Sequence, residues 1–191
     1  MPSFSSPSQQ SSGHRITSAE WNELVNDINY LGSGTVSVGR PAVMATDTSD
    51  TSLTSATWTL MTFASESYDT AGMHSTVAGQ RSLLTCPVSQ DGLYHITAMV
   101  NLDKYTTSAK SCALQLRKNA AGSSTGGTQI AHSTSILSTN GLVISTVSIS
   151  THERLTGSDT LELFVLQDSG SALTLKGSVL AHRFGAYWVT A

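Results

Sequence analysis

The sequence predicts an all-β protein, a sandwich or barrel of some ten short strands, and three observations lead there. Ser (31) and Thr (25) fill 56 of the 191 positions while charged residues make up 12%, against a usual share of about 25%. Apolar and polar residues alternate, with Val143, Ser145, Val147 and Ile149 set against Ile144, Thr146 and Ser148, and Leu161, Leu163 and Val165 set against Glu162 and Phe164; one face of such a strand looks inward. Turn chemistry separates the runs at Asp91-Gly92, at Asn119 before a Gly/Ser/Thr stretch, at Asn140-Gly141 and at Gly157-Ser158-Asp159.

The length fits one domain with an appendage. Residues 1–15 are rich in Ser, Gln and Pro without period, too polar to offset ordering entropy by burial, and read as an extended arm. Residues 16–32 carry the signals of one short α-helix. Thr17 and Glu20 make a capping box, Ile16 against Trp21 a hydrophobic staple, and Gly32 a stop. Trp21, Leu24, Ile28 and Leu31 recur at spacings of 3, 4 and 3, a narrow seam suited either to packing on copies of itself or to lying on the sandwich. Residues 33–41 form a linker, and residues 42–191 the strand-rich head.

Within the head, strands are expected at 42–46, 58–63, 82–86, 94–102, 112–117, 129–132, 142–150, 160–166, 173–176 and 179–189. Repeated short strands at this spacing mean a sandwich or barrel.

Composition excludes several functions. Net charge is −3 and the basic residues are scattered, so no phosphate-binding stripe forms and nucleic acid is not an expected partner. No apolar run reaches the ~18 residues of a membrane span, and residues 1–13 are polar where a secretory signal needs an apolar centre. Cys86 and Cys112 lie in apolar strand-like text without ligand spacing; they read first as buried free thiols, with a disulfide as the alternative.

Three motifs invite chemistry. Gly122-Ser123-Ser124-Thr125-Gly126 matches Gly-x-Ser-x-Gly literally, but a nucleophile elbow needs a helix after the serine, and Gly127-Thr128-Gln129-Ile130 reads as a strand. The six histidines (14, 74, 95, 132, 152, 182) show no paired spacing, and only His95 with His132 is placed by alternation to converge. Asp47 and Asp50 offer oxygens to a hard cation, yet the stretch lacks a calcium-loop pattern and reads as a solvated loop. The expectation is a non-enzyme with no catalytic residue, no metal and no cofactor.

Leu84-Thr85-Cys86-Pro87 followed by Gly92-Leu93-Tyr94, then residues 114–119 running into an Asn turn, then Leu155-Thr156-Gly157-Ser158-Asp159-Thr160-Leu161, resemble the globular head shared by complement component 1q and the tumour necrosis factor superfamily. The resemblance covers residue 41 onward; Leu84 and Ile96 stand where that family usually carries aromatics. It implies a ten-stranded jelly roll that forms a homotrimer, with Tyr94, Phe164 and Tyr187 as candidates for the threefold axis. The opening Thr17-x-x-Glu20-Trp21-Asn22 is similar to anchoring helices near the start of bacteriophage tail and virion surface proteins. Together these imply a trimeric capsid decoration or fibre protein on a virion surface, assembled in the host cytoplasm. It would be held to a major capsid or tail protein by the arm and by the helix residues Ile16, Trp21, Leu24, Ile28 and Leu31. The alternatives are a tail tip binding a host-surface glycan or protein, and a secreted complement 1q-like recognition or signalling module.

Overall fold

A computed structural model describes residues 40–103, 111–136 and 144–190. Two antiparallel sheets face each other across one core. The larger holds β1 (Ala42–Asp47), β2 (Asp50–Leu53), β4 (Ser65–Asp69), β6 (Gly92–Leu102), β9 (Ser145–Leu155), β11 (Leu173–Lys176) and β12 (His182–Thr190). The smaller holds β3 (Thr59–Leu60), β5 (Leu84–Thr85), β7 (Ser111–Lys118), β8 (Thr128–Ile136) and β10 (Thr160–Gln167). The larger sheet runs β2-β11-β6-β12-β1-β4 with β9 also on β6; the smaller runs β3-β10-β7-β8 with β5 on β10. Consecutive strands mostly fall on different partners, as in a jelly-roll sandwich.

The described residues therefore hold twelve strands where ten were expected. The two additions, β2 with sequence DTSL and β4 with sequence SESYD, lack an apolar alternation. They are strands because they complete the hydrogen bonding of β11 and β1 at the two ends of the sheet order. The final strand starts at His182 rather than at residue 179, because Val179 and Leu180 lie in the turn from β11 and are exposed.

The alternation inferred from the sequence sets the core. Val43, Ala45, Tyr94, Ile96, Ala98, Val100, Val147, Ile149, Phe184 and Ala186 point inward from the larger sheet, and Cys112, Leu114, Leu116, Leu161, Leu163 and Val165 from the smaller. Phe63 and Phe184 pack with ring centroids 5.6 Å apart, tilted by 41°. Leu84 and Ile96 are fully buried in this cluster.

Gly92 opens β6 for a steric reason. A Cβ there would stand 2.1 Å from Trp188 Nε1 and 2.4 Å from the Thr190 carbonyl oxygen. The bare backbone admits the indole, whose Nε1 donates to the Asp91 carbonyl at 3.4 Å while the Arg40 guanidinium lies 5.4 Å over the ring. The Trp188 amide donates to Pro41 at 2.8 Å, so the last residues of the linker are tied to the final strand.

Candidate functional site

The side of the larger sheet away from the core is the most distinctive surface of the head. Because successive residues alternate, β6 sends His95, Thr97 and Met99 outward, β9 sends His152, Ser150 and Ser148, β12 sends Tyr187, Gly185 and Arg183, and β1 sends Met44 and Thr46. The register aligns these in rows. Tyr187, His95 and His152 face one another across three strands; Tyr68, Met44, Gly185, Thr97 and Ser150 form the next row.

His95 stands at the centre of the first row. Its Nδ1 lies 3.2 Å from His152 Nε2 and its Nε2 lies 3.2 Å from Ser150 Oγ. The His95 and His152 rings meet edge-on with centroids 4.7 Å apart, and Tyr187 packs against the other side of His95 at 4.9 Å. Tyr68 and Tyr187 are both 47% exposed on this face. Gly185 makes room for Met44, whose Cε would lie 2.8 Å from a Cβ at that position. The two rows through His95 and Thr97 are thus aromatic, imidazole, thioether and hydroxyl, with Arg183 in the next row between Thr46 and Met99, and Arg154 one row beyond on the other side.

Of the three proposed axis residues only Tyr187 lies here. Tyr94 pairs with Trp188, one residue beyond the Tyr187–His95 pair, and the period of two sends it to the opposite face. It is fully buried inside its own sandwich, its hydroxyl donating to the Gln90 carbonyl at 2.8 Å beside Cys86 Sγ at 3.6 Å. Burial raises its phenol pKa well above the usual range. Phe164 belongs to the smaller sheet, on the side away from the core, between Leu60 and Gln115, and is already buried within one chain. Both side chains are thus covered within one chain, and of the three candidates Tyr187 is the one exposed. Ile16, Trp21, Leu24, Ile28 and Leu31 lie outside the described residues.

The Gly-x-Ser-x-Gly stretch is a loop between β7 and β8, followed by a strand. Its backbone is tethered at both polarities. Glu162 accepts from the Gly122 amide at 3.0 Å, and Arg117 donates through its guanidinium to the carbonyls of Gly126 at 2.5 Å and Gly127 at 3.2 Å. Burial pushes the Glu162 carboxyl up, opposed by the backbone N–H groups of residues 120–122. Both charged groups hold the conformation of the loop.

The pairing of His95 with His132 gives way to His95 with His152; His132 sits on the other sheet, edge-on to Trp58 at 6.1 Å. Asp50 lies within β2 rather than in a loop, bonded to Lys176 Nζ at 2.8 Å and to Ser178, and the Lys176 hydrogen bond holds its carboxyl well below the usual range. Asp47 accepts from the Ser49 amide at 2.7 Å. Among the described residues no cluster of three metal-ligating side chains occurs, and no helix is long and apolar enough to cross a membrane. Both cysteines are free and buried; burial pushes the Cys112 thiol up to about 12 and raises Cys86.

No protein-family model and no curated sequence matches the chain. Among solved structures it is similar to the globular domain of zebrafish complement 1qA protein, with TM-score 0.50 and 14% identity over 78% of this chain and 97% of that one. It is also similar to murine APRIL, with TM-score 0.54 and 9% identity over 78% of this chain and 99% of that one. The fold is the complement 1q and tumour necrosis factor-like jelly roll, and at these identities the likeness is one of fold.

Proposed function

We propose that the chain is a non-enzymatic structural protein of a virion whose jelly-roll heads assemble as a homotrimer through the outer face of the larger sheet. The observation that carries the assembly is the composition of that face. Tyr68, Tyr187, Met44 and short neutral side chains fill the two rows through His95 and Thr97, while Arg183 stands in the row beyond, beside Met99, and Arg154 on the other side; local depletion of charge with Tyr and Met is the mark of an interface core. The virion role is supported by the resemblance of the Thr17-x-x-Glu20-Trp21-Asn22 opening to phage anchoring helices, which makes the arm and helix the attachment to a capsid or tail protein. The head then stabilises the particle, binds the host surface, or does both.

Sedimentation tests the assembly: the full chain is expected to run as a trimer at micromolar concentration and Tyr187→Arg as a folded monomer. A wild-type monomer overturns the reading. Loss of residues 1–13 should leave the trimer intact and abolish attachment to particles, while Trp21→Ala weakens attachment by about 2 kcal/mol if the indole is an anchor.

A second reading, a complement 1q-like recognition module that works without a particle, is favoured by the fold likeness. It predicts ligand binding that survives removal of the arm.

A further inference from the structure

We propose that His95 and His152 form a two-imidazole chelate for a borderline divalent transition metal such as Zn²⁺, Ni²⁺ or Cu²⁺. The two residues are direct cross-strand partners on β6 and β9. Such a pair holds its Cβ atoms about 4.5–5.5 Å apart, and β6 is hydrogen-bonded to strands along both edges, so the backbone presents both rings without needing a loop to order.

Distance fits the metal. Two nitrogens bound to one zinc at about 2.0–2.1 Å with a tetrahedral angle lie about 3.3 Å from each other; His95 Nδ1 and His152 Nε2 lie 3.2 Å apart. The nitrogens are in hydrogen-bond contact as they stand, and an ion would enter as the rings rotate about their soft terminal torsions to turn both lone pairs toward it.

Ser150 supports the tautomer that an ion needs. Where Ser150 Oγ, 3.2 Å away, accepts from an Nε2–H of His95, the Nδ1 of that ring carries the lone pair on the side of His152. Ser150 is a positioning residue of the kind that orients metal-bound imidazoles, and Tyr187 fixes the opposite side of His95.

Charge selects the class of ion. The strand neighbours on this face are Ser, Thr, Met and Tyr with Arg154 and Arg183 beyond them, so the site offers neutral nitrogen donors and no carboxylate. That composition suits imidazole-preferring transition metals and disfavours calcium or magnesium. The remaining coordination positions stay open to water or to a donor from another molecule. Both ligands come from a single chain, so the site does not depend on the proposed trimer.

The test is calorimetric titration of the full chain with Zn²⁺ and with Ni²⁺ at neutral pH, with imidazole resonances followed by NMR. One ion per chain is expected, with the His95 and His152 signals shifting first. His95→Ala and His152→Ala should each weaken binding at least about tenfold, Ser150→Ala by about tenfold, and His132→Ala should leave it unchanged. Circular dichroism of each variant confirms folding at these surface positions. No binding by the wild type, or binding kept by the His95→Ala/His152→Ala double variant, overturns the proposal. Sedimentation of the same samples reports the assembly separately: a monomer that binds the ion through both histidines refutes the trimer and leaves the chelate standing.

Discussion

Replacing Gly92 by alanine adds one methyl group where three atoms already stand. The new Cβ meets Trp188 Nε1 at 2.1 Å, the Thr190 carbonyl oxygen at 2.4 Å and Trp188 Cδ1 at 2.9 Å. The indole must swing away, and because the second clash is with backbone, the end of β12 must move as well. Overpacking of this kind costs about 1–3 kcal/mol. The swing also loses the Trp188–Asp91 hydrogen bond, worth about 0.5–1.5 kcal/mol, and the Arg40 cation–π contact, about 0.5–1 kcal/mol at an exposed site. These contributions are not fully additive, and the expected destabilisation is about 2–4 kcal/mol. At about 2–4 °C per kcal/mol for a domain of this size, Tm should fall by about 4–16 °C. Urea denaturation and a thermal melt measure it, and a Gly92→Ala, Trp188→Ala double-mutant cycle locates it, since removing the indole leaves only the carbonyl clash. A Gly92→Ala protein within about 0.5 kcal/mol of wild type would refute the account of why Gly opens this strand.

Two further outcomes follow from buried titratable groups. His182 is buried, its Nδ1 accepting from the Asn101 amide at 3.2 Å and its Nε2 without a hydrogen-bond partner among the described residues; burial lowers its pKa, opposed by Asp47 and Asp50. A lowered folded-state pKa means the unfolded chain binds the proton more readily, so the stability is present above pH ~6.5 and lost as pH falls below it. The slope from this residue is at most about 1.4 kcal/mol per pH unit, and the difference in urea stability between wild type and His182→Gln should shrink between pH 7 and 5; a pH-independent difference would contradict the assignment. Cys86 and Cys112, with raised thiol pKa values and full burial, should resist a thiol-specific reagent at neutral pH in the native protein and react with two equivalents after unfolding in guanidinium. Rapid native reaction would show that one of them is reachable.

How much of the fold was legible tracks how much apolar patterning each strand carries. β6, β7, β10 and β11 show alternating or continuous apolar text and were located to within two residues at each end. β2 and β4 were not, because their polar residues become strand only through the neighbours they pair with, Leu173–Lys176 for one and residues 43–46 for the other, and that pairing is a property of the folded sheet. β9 begins at Ser145 and runs on to Leu155 through the polar stretch Thr151-His152-Glu153-Arg154, which the pattern alone did not extend.

The surface was harder to read than the core for the same reason. Alternation states that Tyr187 and Tyr94 each belong to one side of a strand, but only the register between β6 and β12 decides whether two strands send them to the same side. Tyr187 falls opposite His95, so Tyr94 falls inside. The same register carries His152 beside His95, a pair 57 residues apart in the chain that no spacing rule could find. Glu162 and Arg117 show the limit from the other direction. Their parity on strands with inward Leu161, Leu163, Leu114 and Leu116 suggests solvent, yet both are buried because residues 120–127 fold back over them. That loop takes left-handed backbone at Asn119, Ala121, Gly122 and Gly127, and a Cβ at Gly127 would stand 2.1 Å from the Lys118 carbonyl. A loop so shaped leaves amides and carbonyls turned toward the sheet, where a carboxylate and a guanidinium satisfy one polarity each. The Gly-rich text that matches Gly-x-Ser-x-Gly literally thus bends the backbone so that its amides and carbonyls reach two buried charged side chains.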